Sequence, residues 1–140
     1  MNTQNFLVSK VNELSRPLIN RFYQAHYKRS KAKSHDVVYQ ISSDVRVGVV
    51  RYVPINEVWL LRGLVIAPDY RNLGLASKLV IKSREQHLPC YLFCDRTLVD
   101  FYKRCGFELC QAEGLPSGLL QRFCGYKARQ PKLVAMACFS

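Results

Sequence analysis

The chain has 140 residues, 49% of them hydrophobic and 22% charged, and carries a net charge of +11. That length suits one domain, residues 1–140, able to bury roughly 68% of its unfolded surface, and the composition is that of an ordinary soluble globular protein. No apolar run approaches the roughly 18 residues of a membrane span, and Met1-Asn2-Thr3-Gln4-Asn5 lacks the basic-then-apolar form of a signal peptide. A cytoplasmic protein with no membrane partner is expected.

Six cysteines are present: Cys90, Cys94, Cys105, Cys110, Cys124 and Cys138. No Cys-x-x-Cys pair or histidine at ligand spacing makes them a zinc site, so no metal is expected. Most have apolar neighbours, which fits reduced core thiols in a reducing compartment. The densest basic stretch is Tyr27-Lys28-Arg29-Ser30-Lys31-Ala32-Lys33. It reads as a solvated helix end, where cations oppose the negative dipole, with contact to phosphate as the alternative.

In chain order, residues 6–33 place Leu14, Leu18, Phe22 and Ala25 on one side at helical spacing, with Pro17 marking the first turn of a second helix and Ser15 or Arg16 near its cap. Residues 37–42 and about 45–53 read as strands, the second half-buried by its alternation. Residues 58–66 are apolar at nearly every position, as in a central strand covered on both faces. Short links at Ser43-Asp44 and from Pro54 to Glu57 make these three an antiparallel meander. Residues 73–86 predict an amphipathic helix with Leu75, Ala76, Leu79 and Val80 inward and Lys78, Lys82 and Glu85 in water. A strand at 90–94 follows, then a helix near 97–104 with Thr97 and Asp100 as a capping pair, and a strand near 106–111. Gly114, Pro116, Gly118, Gly125 and Pro131 mark 112–131 as loop with at most one short helix. Lys132 to Phe139 closes the chain as a strand. The whole is a mixed α/β (α+β) domain, with one strand-helix-strand crossover after the meander.

The most informative segment is Val58 to Ala76. An apolar strand runs into Ala67-Pro68-Asp69-Tyr70, then Arg71-Asn72-Leu73-Gly74-Leu75-Ala76, then a helix. Such a helix start offers unpartnered N–H groups and the positive end of the macrodipole, and Gly74 allows close approach because it has no Cβ. The segment reads as a pyrophosphate cradle. One strand later come Asp95 and Phe101-Tyr102-Lys103-Arg104-Cys105-Gly106-Phe107.

Together, Arg71-x-x-Gly74-x-Ala76 and this second motif resemble the GNAT superfamily of acyl-CoA-dependent N-acetyltransferases. The likeness extends over about residues 17–139, with motif-level similarity within 58–110. It implies a sheet whose central strands splay around acetyl-CoA. It also implies that Arg71, Asn72, Leu73, Gly74, Leu75, Ala76 and Ser77 hold the pyrophosphate and that Leu64, Val65 and Ile66 lie along the pantetheine arm. A backbone N–H on an anion is worth about 1.5–3 kcal/mol, so three or four support micromolar binding after association costs. Tyr102 matches the family's general acid, a phenol with pKa near about 10 that is protonated at neutral pH and can donate to the departing thiolate.

Three departures from the family pattern stand out. Asp95 replaces the usual asparagine, a cofactor contact in relatives, and is suited to capping the following helix. Leu60 and Arg62 stand where many members carry a glutamate base, leaving Glu57 at a strand end as the remaining candidate. The chain is also expected to begin at the family's first helix, with the usual first strand missing or replaced. The resemblance therefore implies acetyl transfer from acetyl-CoA to a primary amine of a small molecule or protein by direct attack, with a backbone N–H near Ile66 stabilising the oxyanion. The alternative is a catalytically weak acetyl-CoA-binding regulator. A nucleic-acid module on Tyr23, Tyr27 and residues 28–33 has no recognisable motif to support it. The acceptor pocket would draw on residues 15–36 and 112–130, neither with a readable signature, and the apolar last strand leaves pairing across a homodimer open.

Overall fold

The computed structural model describes residues 5–140; Met1 to Gln4, part of the segment read against a signal peptide, lie outside the described residues. Seven strands form one sheet in the order β1-β2-β3-β4-β5-β7-β6: β1 Leu7–Lys10, β2 Val37–Ser42, β3 Arg46–Ile55, β4 Val58–Ile66, β5 Cys90–Asp95, β6 Glu108–Cys110 and β7 Leu133–Cys138. The helices are α1 Arg16–His26, α2 Leu75–Arg84, α3 Val99–Arg104 and α4 Ser117–Arg129. Every neighbouring pair of strands is antiparallel except β4–β5, which the crossover through α2 makes parallel. The meander β2-β3-β4 and the strand-helix-strand crossover stand where the alternation placed them.

Period-two alternation sorts the sheet into two apolar faces. On one, Val50 and Tyr52 of β3, Leu61 of β4, Leu92 of β5 and Met136 of β7 pack under Leu75, Leu79 and Val80 of α2 and beside Tyr102 of α3. On the other, Leu60, Tyr91 and Ala135 pack under Leu119 and Phe123 of α4, while Val38, Val49 and Val65 pack under Ile19 and Tyr23 of α1. Each buried valine, leucine, isoleucine, phenylalanine or methionine among them contributes about 1.5–3 kcal/mol. No helix among the described residues is long and apolar enough to cross a membrane. All six cysteines are free, four of them buried.

The N-terminal segment differs from the helical expectation. Leu7–Lys10 is a strand, paired with β2 from Leu7↔Ser42 to Lys10↔Tyr39, so a first strand is present after all. The open edge of β2 needs partners for its backbone groups, and this outweighs a weak local helical pattern. Asn12 then caps a short turn by accepting from the Leu14 N–H (2.8 Å), and α1 starts with Pro17 in its first turn. The inward positions are Ile19 and Tyr23, both fully buried, one residue out of phase with the predicted stripe; Leu14 is 89% exposed. Tyr23 can be buried because its hydroxyl donates to the Gly63 carbonyl (2.8 Å).

The basic segment is a loop after α1 rather than its last turn. Asn20 clamps it by donating to the Ala32 carbonyl and accepting the Ala32 N–H, leaving Lys28, Arg29, Lys31 and Lys33 exposed. Residues predicted as loop form the 13-residue α4. A mid-helix glycine costs about 1 kcal/mol, which burial of Leu119 and Phe123, four apart on one face, outweighs. Finally, β7 lies between β5 and β6 and pairs with both, so it has no free edge with which to join a second copy.

Candidate active site

The site begins at a defect in the ladder. Val49 pairs with Val65 but Arg51 with Arg62, so β4 carries one extra residue there, at Gly63–Leu64. Gly63 has φ +66, as a bulge of this kind demands. On the other side, the parallel pairing of β4 with β5 extends over Trp59↔Cys90 and Leu60↔Tyr91. Beyond Leu60 the strands part.

A cleft of about 600 Å³ opens there. Leu64, Val65 and Ile66 form one wall and Arg71, Asn72, Gly74, Leu75, Ala76 and Ser77 the end at the start of α2. Tyr102 of α3 completes it, beside Leu98, Phe101 and Arg104. The two sequence motifs thus meet in one space. Tyr70 also lines the cleft; it and Arg104 sit inside the quoted motifs, the signal by which they were findable. Leu73 instead packs against the core beneath.

Asn72 (φ +63) and Gly74 (φ +78) are both left-handed, the local backbone from which anion-binding concavities are built. The N–H groups of Leu75, Ala76 and Ser77, in the first turn of α2, have no intrahelical partner. A Cβ at Gly74 would find no atom within 4 Å, so the space before it is open for a ligand. Arg71 Nε donates to the Ile66 carbonyl (2.9 Å), tying the strand end to the helix start.

Tyr102 is 7% exposed. Its carbonyl accepts from the N–H groups of Cys105 and Phe107 (both 3.0 Å), and its ring meets Phe101 and Phe107 edge-on. Burial pushes its hydroxyl well above the ordinary tyrosine range, with Cys94 and Cys105 acting in the same direction. It is a phenol throughout the neutral range.

Asp95 stands apart from this cleft. Its Oδ1 accepts from the N–H (3.0 Å) and hydroxyl (2.9 Å) of Thr97, which hold the carboxyl below its usual range. Asp95 therefore caps the turn at Arg96–Leu98, as its place before the helix suggested, whereas α3 itself has no side-chain cap from the Thr97–Asp100 pair. Glu57 is exposed in the β3–β4 turn, about 23 Å along β4 from the cleft wall at Leu64 at some 3.3 Å per residue. It is too far away to act as base.

A second cavity, about 210 Å³, lies where the same strands part, with Leu60, Leu61, Arg62 and Gly63 along β4. Tyr27, just after α1, and Tyr126 and Gln130, at the end of α4, wall it in. These residues come from the two segments expected to supply an acceptor pocket. No aspartate, glutamate or histidine is among the described residues lining either cavity, and no cluster of potential metal ligands occurs among the described residues.

A mixed sheet opened between its parallel strands, with a glycine turn and a helix start beside the opening, is the architecture of an acetyltransferase fold. The sequence matches the model of the acetyltransferase (GNAT) domain over residues 33–109, and the chain belongs to that family. Among solved structures it resembles a GNAT-family acetyltransferase from Staphylococcus aureus (17% identity, TM-score 0.64, covering 95% of this chain and 98% of that one). It also resembles a spermidine N-acetyltransferase chimera of Vibrio cholerae and hSSAT (13%, TM-score 0.61, 96% and 95%). A third is a Bacillus anthracis protein assigned as a streptothricin acetyltransferase, in complex with acetyl coenzyme A (15%, TM-score 0.56, 81% and 68%). At these identities the likeness is one of fold. No curated protein matches the chain in sequence.

Proposed function

We propose that the protein transfers an acetyl group from acetyl-CoA to a primary amine by direct attack. The observation that carries this reading is the meeting of the Arg71–Ser77 cradle and Tyr102 in one cleft, at the place where β4 and β5 part. The open space before Gly74 fits a pyrophosphate, and the N–H groups from Asn72 to Ser77 would hold it. Leu64, Val65 and Ile66 would accompany the pantetheine arm. Acetyl-CoA supplies the activated acetyl group.

In the transfer a C–N bond forms and a C–S bond breaks. The amine nitrogen attacks as the neutral base; held beside the thioester, it gains the rate advantage of proximity. Its surplus proton leaves to water, since neither cavity offers a carboxylate or imidazole. Tyr102 Oη, kept protonated by burial, gives the proton that sulfur needs. The lack of a base also supports a second reading, binding of acetyl-CoA with little turnover.

Calorimetric titration with acetyl-CoA, wild type beside Gly74→Glu, tests the cradle. Micromolar binding that the variant loses by a hundredfold or more is expected, because a carboxylate would fill the phosphate space. Failure of the wild type to bind would remove both readings, whereas binding without turnover of a broad amine panel would favour the second.

A further inference from the structure

We propose that the acceptor is an amine that also carries a carboxylate, and that Arg62 at the floor of the smaller cavity binds it. This deepens, and rests on, the acetyltransferase reading. The two cavities adjoin along one strand: Leu60 to Gly63 line the smaller, Leu64 to Ile66 the larger. An acceptor in the smaller cavity therefore sits beside the point where β4 leaves β5 and where the acetyl group must be delivered.

The charge of that cavity is set by Arg62. It is half-buried, and its protein partners are neutral: Nη1 donates to Tyr126 Oη (3.2 Å), and the guanidinium lies over the Tyr126 ring at 5.4 Å. Among the described residues the recorded ion pair is Arg51 with Asp36 (3.3 Å), and Arg62 has none. Arg51 lies directly across the ladder from Arg62, but Asp36 already neutralises it. The remaining polar lining, Tyr27, Tyr126 and Gln130, is uncharged.

A guanidinium has five N–H donors in a fixed fork, matched to a carboxylate. With Tyr126 taking one, Arg62 keeps donors for a bidentate contact. A diamine or polyamine would bring a second cation beside Arg62 with no acidic residue in the lining to offset it. Size and chemistry agree: a cavity of about 150 Å³ holds one benzene ring, so 210 Å³ between Tyr27, Phe93 and Tyr126 suits a ring or short chain with one polar end.

Matched acceptors isolate the carboxylate: phenylalanine against 2-phenylethylamine, 4-(aminomethyl)benzoate against benzylamine, and spermidine as the polycation. With acetyl-CoA saturating, at least one acid is expected to exceed its neutral partner by tenfold or more in kcat/KM, mainly through KM, and to exceed spermidine. Arg62→Gln should bring that ratio close to one, and Arg62→Lys, which keeps the charge without the fork, should retain part of it. Acetyl-CoA titration of each preparation checks that the variant is folded. Preference for a neutral amine or spermidine, an acid-to-neutral ratio that Arg62→Gln leaves unchanged, or no turnover of any of the five by protein that binds acetyl-CoA overturns the proposal. Failure to bind acetyl-CoA instead removes the acetyltransferase reading beneath it.

Discussion

The two faces of the sheet were built by different means. The cleft under α2 and α3 is made of contiguous stretches, Leu64–Ile66 and Arg71–Ser77, together with one short helix, and much of its chemistry is backbone. The cavity between α1 and α4 is made of single side chains from far-apart segments, Tyr27, Arg62, Phe93, Tyr126 and Gln130. A backbone site recurs wherever the same turn recurs, so it can serve one invariant ligand. A side-chain site changes with each substitution and can set which acceptor is taken.

Gly63 joins the two faces, and its replacement should have the largest effect. A Cβ there would lie 2.5 Å from Tyr23 Oη and 2.6 Å from Ser30 Oγ, on a backbone at φ +66. Ser30 Oγ also accepts from Arg51 (3.1 Å). Gly63→Ala is expected to cost about 3 kcal/mol or more, combining positive-φ strain with a disrupted buried hydrogen-bond network. Urea denaturation measures it; a loss below about 1 kcal/mol would mean that the bulge tolerates a side chain and does not set the geometry of the parting strands.

Tyr102→Phe is expected to act next most strongly, lowering kcat about a hundredfold or more with acetyl-CoA affinity nearly intact. Because burial raises the pKa of Tyr102, wild-type kcat should not fall near pH 10, where an ordinary tyrosine ionises at about 10. Equal kcat in the two proteins would take Tyr102 out of the chemistry and leave it a packing residue.

The smallest effect concerns the core on the α2 side of the sheet. His87 Nε2 bonds to Tyr39 Oη (2.8 Å), and the ring stacks on Tyr52 at 4.8 Å. Burial first, then Lys10, lowers its pKa, so the folded state binds fewer protons than the unfolded one. Stability from this neutral imidazole is complete above the unfolded pKa of about 6.5 and is lost as pH falls below it. Melting temperature should drop from pH 7 to pH 5, and His87→Gln should flatten that slope; an unchanged slope would assign it to other groups.

The cradle was legible because its residues are neighbours in the chain and its requirements are local: a strand, a turn, Gly74, a helix start. The alternation of β2 to β5 was equally plain. At the N-terminus, four residues of β1 hold too short a pattern to read, and the pairing that makes them a strand comes from β2, about 30 residues on by the register. The glycines of α4 spoke for a loop because the burial that overrides them lies on Leu60, Tyr91 and Ala135. Glu57 was a candidate base by sequence nearness to the strand, and strand geometry places it at the wrong end.

The sequence by itself determined the meander, the crossover, the glycine turn before α2 and the tyrosine that follows it, since each depends on hydrophobic period or on residues a few positions apart. The tertiary structure decided the rest: the order that puts β7 inside the sheet, the bulge at Gly63 near the place where β4 and β5 part, and the company of Arg62. Those depend on contacts between distant segments, whose energies appear only when the chain has folded and brought them together.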